Sequence, residues 1–328
     1  LLSYRAQTLD DVFRHQGDPM TASAPRYRGW LPVLPALVFA GLVFAPLGAA
    51  ASPIYAITVG TGLVQSLFHF DSATPGTLLS GGAIGGLPLG ESLLAIDFRP
   101  ATGELYGLGS ASRLYTIDTT TKQATQVGSD GAFTLSGTAF GFDFNPTVDR
   151  IRVTSNTGQN LRLNPNNGAL AATDTALAYA AGDPNAGAPP RVVGSAYTNN
   201  VAGAVTTTLY DIDSNLDLLA TQNPPNGGTL NTIGALGFNT SDLVGFDILT
   251  VGSTNTAFAL LTPAIGGMGQ LFTIDLATGA ATLVGTIGGT LAVSGIAAVP
   301  QTAVPEPATL LLVGGGLLAA VRRRSARR

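Results

Sequence analysis

The sequence contains no cysteine, which excludes disulfides, thiolate nucleophiles and thiolate metal centres. Charge is scarce at 11% of residues, and most of the basic side chains lie at the two ends. Between Ser52 and Val304 there are seven basic and sixteen acidic residues, a net charge of −9. Nucleic acid is a poor partner for such a surface, because phosphate binding needs a basic face. His69 is the one histidine in that span. Without a second, a Ser-His-Asp triad or a histidine metal site lacks its parts. The span offers two glutamates, Glu91 and Glu104, a thin supply for acid/base work on sugars. Its glycine clusters match no phosphate-binding loop or dinucleotide fingerprint.

What the chain has instead is glycine (42), proline (20) and short apolar runs separated by Gly, Thr, Asn and Pro. That pattern predicts an all-β fold with many turns. The runs repeat. "LAIDF" (94–98), "FGFDF" (140–144), "VGSAY" (193–197), "VGFDI" (244–248) and "SGIAA" (294–298) recur about every 46 to 53 residues, a spacing typical of repeat architectures. After each of the first four come three further runs, so a unit is a four-stranded antiparallel sheet. Residues 54–81 already hold a second, third and fourth run ("IYAIT", "LFHFD", "GTLLSG"), while "SGIAA" is an orphan first run. The two partial units complete one another in a ring. The expected fold is therefore a five-bladed β-propeller, closed by pairing the C-terminal strand with the N-terminal blade. An open solenoid would need polar caps instead. Gly or Ala early in the first strand suits a crowded centre. Asp71, Asp118 and Asp275 read as turn residues, and longer loops are expected at 174–191 and 250–256.

Both ends read as addresses. Arg26 and Arg28, the apolar stretch Leu31 to Leu47 and the Ala49-Ala50-Ala51 exit form a secretory signal over 20–51, with cleavage at Ala49 and Ala51. Residues 1–19 precede it and look like a mis-assigned extension upstream of Met20. At the other end, Pro305-Glu306-Pro307, the apolar run Leu310 to Val321 and five arginines resemble the PEP-CTERM sorting signal. The resemblance implies recognition and removal of the 304–328 tail by the membrane protease exosortase. Twelve helical residues span about 18 Å, short of the roughly 30 Å hydrocarbon core, so the tail is a weak permanent anchor. The propeller is expected over 52–303. The protein would be membrane-anchored before processing and lie at the cell surface or in extracellular matrix after it.

Four segments, "GFDFNPTVDRIRVTSNTGQNLRLNPNNG", "AYTNN", "TTLYDID" and "TQNPPNGGTLNTIGALG", resemble a bacterial secreted family, domain of unknown function 4394. The resemblance covers most of 54–300. It implies a propeller-like domain and export, and brings no catalytic residues.

Two clusters are candidates for chemistry. Asp97, Asp143 and Asp247 recur on the first strand, which lines a propeller's channel. The plainest role is to accept hydrogen bonds from a neighbouring blade's backbone; convergent acids also suit Ca²⁺ or a glycosidase pair. No other cofactor is expected. The second cluster is Arg152 and Arg162, which replace aromatics in one blade and face each other across antiparallel strands. They need something negative between them. Asp97 or Asp143 is the expected partner, with an acidic polysaccharide or phosphate as the alternative. Arg150 and Arg191 are near in sequence, and Asn156, Gln159, Asn160 and Asn164 suit glycan contacts. The expected function is a non-enzymatic binding or scaffold module for extracellular polysaccharide. A polysaccharide hydrolase or lyase using the channel acids is the alternative.

Overall fold

The computed structural model describes residues 51–60, 64–289 and 291–300. Among these residues the chain is all β apart from one 3-10 turn at Pro225–Gly227. Blade 1 holds β1 (Pro53–Thr58), β2 (Ser66–Asp71) and β3 (Leu78–Ala83). Blade 2 holds β4 (Leu93–Phe98), β5 (Leu105–Gly109), β6 (Arg113–Ile117) and β7 (Ala124–Val127). Blade 3 holds β8 (Phe140–Asn145), β9 (Arg150–Ser155), β10 (Asn160–Leu163) and β11 (Leu170–Thr173). Blade 4 holds β12 (Ala178–Tyr179), β13 (Val192–Tyr197), β14 (Leu209–Asp213), β15 (Leu218–Gln222) and β16 (Thr229–Ala235). Blade 5 holds β17 (Thr240–Val251), β18 (Thr254–Pro263), β19 (Gln270–Ile274) and β20 (Ala281–Thr286). The last strand, β21 (Val293–Ala298), returns to blade 1, where the strand order is β21-β1-β2-β3.

That return closes the ring as the half-units require. Ile54 faces Ala298 and Ile57 faces Gly295 across the antiparallel β1–β21 pair. The inner strands β4, β8, β13, β17 and β21 each touch the next, and β21 touches β4. One of the two loop expectations needs correction. Residues 250–256 form no long loop, since β17 and β18 pair as one long hairpin whose tip lies between Val251 and Thr254, with Gly252 at φ 60°. The 174–191 stretch is the long loop expected, and within it the two-residue β12 adds a fifth strand parallel to β16 on the outer edge of blade 4.

Burial falls outward along each blade for a geometric reason. An inner strand has a neighbouring blade against each face, so β8 and β13 are buried almost throughout, whereas β3 and β11 are mostly exposed. Small residues on the inner strands are obligatory. A Cβ on Gly141 would lie 2.3 Å from Ser195 Oγ, and one on Gly245 2.7 Å from the Ile296 amide nitrogen. The Asx turns are as expected: Asp71, Asp118 and Asp275 accept from the amides of Ala73, Thr120 and Ala277 at 2.8, 2.7 and 2.8 Å.

The core is a set of seams between blades. Four are apolar: Ile57, Ile96 and Leu105 between blades 1 and 2; Leu108, Phe142 and Val153 between 2 and 3; Ile212, Phe246 and Ala259 between 4 and 5; Leu260, Ile296 and Ala56 between 5 and 1. The seam between blades 3 and 4 has an apolar cluster on its blade 4 side, with Val192, Leu218 and Leu230, but its inner part is polar. Where the other seams place aliphatic, aromatic or glycine residues, it has Thr154, Ser195 and Asp211, joined by hydrogen bonds of 2.7 and 2.5 Å.

Candidate functional site

The arginines of blade 3 sit at the outer part of this polar seam. Strand alternation places Arg152 on the same face of β9 as Thr154, toward blade 4, and the register sets it directly opposite Arg162 of β10. The expected repulsion is resolved by a carboxylate, but neither Asp97 nor Asp143 supplies it. Asp174, just past β11, bridges the pair: Arg152 Nη1 donates to Oδ2 at 2.6 Å, and Arg162 donates to both oxygens at 2.7 and 2.8 Å. Burial works against ionisation of Asp174, yet hydrogen bonds from Arg162 and Arg152 hold its carboxyl below the usual range. Asp143 faces Arg152 in register but lies inward of it on the axial strand, while the long guanidinium reaches outward to the rim.

Arg152 is 2% exposed and forms the floor of the site. Its remaining donors go to Asn160 Oδ1 at 2.7 Å, Asn226 Oδ1 at 2.8 Å and Tyr197 Oη at 3.4 Å. Asn160, proposed as a ligand contact, is buried and fully engaged, since its Nδ2 donates to the carbonyls of Thr175 and Pro225 at 3.0 and 3.1 Å. It orients Arg152 and ties two blades together. Asn164 is a turn residue: its Oδ1 accepts from the Asn166 amide at 3.0 Å. Asn156 and Gln159 also lie elsewhere. Asn156 bonds Thr138 and Asp242, and Gln159 braces Ser136 and Thr134. Arg191 pairs with Asp242.

Above Arg152 opens a cavity of about 490 Å³ lined by Asn145, Arg150, Arg162, Tyr197, Pro224 and Asn226, among others. The side chain of Arg162 is 32% exposed, and among the described residues its Nη1 has no hydrogen-bond partner. Arg150 is half-buried and spends one hydrogen bond on the Asp149 carbonyl at 2.8 Å. Three arginines thus line one cavity, with Asp174 as the carboxylate paired to two of them. Asp174, Asn226 and Tyr197 were missed in the sequence, because they arrive from a loop, a turn and the neighbouring blade.

The second cluster converges on the axis. Asp97, Asp143 and Asp247 are 1%, 0% and 2% exposed, and one oxygen from each lies within 4.8 Å of the others. The plainest expectation holds in part: Asp97 accepts from the Phe144 amide of the next blade at 3.1 Å, and Asp247 from the Ala298 amide at 2.6 Å. Both oxygens of Asp143 and Oδ1 of Asp247 make no well-formed hydrogen bond, although the Tyr197 amide of the next blade and the Phe144 amide partly favour the Asp143 carboxylate. Burial, and then the neighbouring carboxylates, push the Asp97 and Asp143 carboxyls well above their usual range; burial pushes Asp247 up to about 6. A glycosidase pair needs an open cleft and about 5–9.5 Å between carboxylates. These acids are closer than that and shut off, and the cavity one layer along the axis, lined by Gly141, Gly194, Gly245 and Gly295, holds only about 10 Å³.

His69 has a partner the sequence did not reveal. Ser80 lies opposite it across β2–β3, with Oγ 2.9 Å from Nδ1, and its ring stacks on Tyr55 at 5.2 Å. Asp71 caps its own turn instead of orienting the ring.

No curated protein matches the sequence. Among solved structures, the Myxococcus xanthus glutaminyl cyclase is 13% identical, with 66% of this chain and 86% of that one covered, at a TM-score of 0.41. The Kuenenia stuttgartiensis hydrazine synthase is 13% identical, with 61% and 51% covered, at 0.34. The dihydro-heme d1 dehydrogenase NirN is 10% identical, with 70% and 43% covered, at 0.33. Likenesses this distant bring no activity to the chain. Of the called termini, Ala51 is the first described residue and is exposed; Ala49, Pro305, Glu306 and Pro307 lie outside the described residues. Residues 303–328 match the PEP-CTERM protein-sorting motif, which implies exosortase-mediated sorting. The profile described as domain of unknown function (DUF4394) matches residues 66–297, and the chain belongs to that family.

Proposed function

We propose that the chain is an exported propeller that binds or scaffolds acidic extracellular polysaccharide through the cavity between blades 3 and 4. The observation that carries this reading is the arginine lining. A span of net charge −9 gathers Arg150, Arg152 and Arg162 around one opening of about 490 Å³. Among the described residues Arg162 and Arg150 keep donors free for a uronate carboxylate or a sulfate, which guanidinium groups bind through paired N–H bonds. Pro224, Pro225 and Val148 give the same cavity apolar walls for the faces of sugar rings. The volume is in the range of small-ligand sites.

The sorting motif supports a location outside the cytoplasm. On this reading the 20–51 segment is a cleaved signal, the 304–328 tail is removed by exosortase, and the 52–303 propeller is delivered to the cell surface or matrix. The test is calorimetry of the full chain with alginate, a polyuronate, and with dextran as the neutral control, while the samples are assayed for new reducing ends. Saturable binding of alginate alone, without cleavage and weakened tenfold or more by Arg162→Gln, is expected. Equal binding of dextran, or an unchanged affinity in the variant, contradicts the reading. New reducing ends would move the chain to the hydrolase or lyase class.

A further inference from the structure

The axial acids pose an electrostatic problem that the protein's own groups leave open. Three carboxylates sit in one buried layer, each offering an oxygen within 4.8 Å of the others. None of the six ion pairs among the described residues involves them: Arg99, Arg113, Arg152, Arg162 and Arg191 are all committed to other carboxylates. Amides relieve Asp97 and one oxygen of Asp247. That leaves Asp143, wholly buried, with neither oxygen in a well-formed hydrogen bond and only the weaker pull of the Tyr197 and Phe144 amides, and Asp247 Oδ1 likewise without a well-formed bond. A buried carboxylate without a hydrogen bond or a counter-charge is among the costliest groups a fold can hold. Here these oxygens belong to the same ring of side chains, and the two remaining ring positions are Ala196 and Ala297, which leave the middle to the acids.

We propose that Asp97, Asp143 and Asp247 hold a calcium ion on the propeller axis, joining blades 2, 3 and 5. All the donors are hard oxygens, the set that suits Ca²⁺, Mg²⁺ or Mn²⁺ and not the softer metals. Mg²⁺ demands near-ideal octahedral geometry and keeps several waters. The axial cavity next to this layer, about 10 Å³, has room for about one water. Calcium accepts irregular shells at about 2.3–2.6 Å, a reach that three oxygens within 4.8 Å of one another can share. The ion is structural: it neutralises the layer and fixes three inner strands to one point, and no sugar reaches it.

The experiment uses the full chain, stripped with chelator and then dialysed against Ca²⁺ or Mg²⁺ alone, with metal content by atomic emission and thermal melting as readouts. One calcium per chain is expected. Saturating Ca²⁺, at about a hundred times its dissociation constant, raises Tm by roughly 5–10 °C, with little response to Mg²⁺. Asp143→Asn abolishes both the calcium and the shift. Asp118→Asn, in an exposed turn, retains both. Absence of retained calcium together with a Tm that ignores Ca²⁺ overturns the proposal. So does a Ca²⁺ response that survives Asp143→Asn, or one that Mg²⁺ matches. Should the Asn variant fail to fold, the metal content and melting of the unsubstituted chain still decide.

Discussion

The four apolar seams and the polar one are built from the same strand positions. Between blades 4 and 5, Ile212, Phe246 and Ala259 meet as hydrocarbon; the equivalent trio between blades 3 and 4 is Thr154, Ser195 and Asp211. Apolar seams hold blades together without directionality and tolerate small adjustments. A buried polar seam holds only if every member is paired, and it becomes costly when one is not. Nothing about ring closure requires that cost, since four seams manage without it. The polar seam is also the one whose rim opens into the arginine-lined cavity, where binding is proposed.

Breaking the comparison where the buried charge is greatest should give the largest effect. Asp174→Ala leaves Arg152 buried and unpaired and should cost about 3–5 kcal/mol of stability, seen as a lower urea midpoint. A loss below about 1 kcal/mol would mean that Asp174 is not the partner that matters. The second effect is a pH dependence that no apolar seam has. Burial pushes the Asp211 carboxyl up to about 7, against opposition from the Ser195 hydrogen bond and the Arg152 charge. In the unfolded chain this group ionises near pH 4, while in the fold it keeps its proton until about pH 7. Its contribution to stability therefore falls as pH rises through that window, by at most about 4 kcal/mol, and is level above it. Asp211→Asn should reduce the slope of stability against pH between 4 and 7; an unchanged slope refutes the assignment.

Ser195→Ala sharpens the contrast at smaller scale. It leaves Asp211 with neither oxygen partnered, because Oδ2 already has none, and should cost about 1–3 kcal/mol. Converting all three positions at once, Thr154→Val with Ser195→Ala and Asp211→Ala, should be nearly neutral, because no polar group is then stranded. A triple variant less stable than Ser195→Ala alone would contradict that account in urea melts. The smallest expected change in stability, below about 1 kcal/mol, is for Arg162→Gln, because Asp174 still neutralises Arg152. Its stability readout should separate cleanly from the loss of alginate binding.

The repeat made the fold legible. Runs such as "LAIDF" and "FGFDF" fall within β4 and β8, and the orphan "SGIAA" found its place in blade 1. Short-range pattern also exposed Arg152, which stands where the other blades have Tyr55, Tyr106, Tyr210 and Phe258. The same reading of Arg162 needs correction: the register puts it where the other blades have His69, Thr116, Thr221 and Thr273, one residue off the aromatics of that strand. The same comparison, applied at every position, would have singled out Thr154, Ser195 and Asp211, which occupy positions that are apolar or glycine elsewhere. What no local pattern carries is partnership between distant segments. Asp174 follows a strand end, and Asn226 lies in a turn 74 residues from Arg152; only the packing of blade 4 on blade 3 brings them together. The misplacement of Asn160 and Asn164 has the same origin. Closeness in sequence to the arginines suggested ligand contacts, while one amide is consumed by the seam and the other by its turn.

The claim that the polar seam is the binding site is tested most directly by hydrogen exchange of the full chain with and without an oligouronate. Protection is predicted for the amides of 145–152, 160–163 and 224–230, with the corresponding segments of the four apolar seams unchanged. Protection spread evenly over all five seams, or confined to another one, would contradict it.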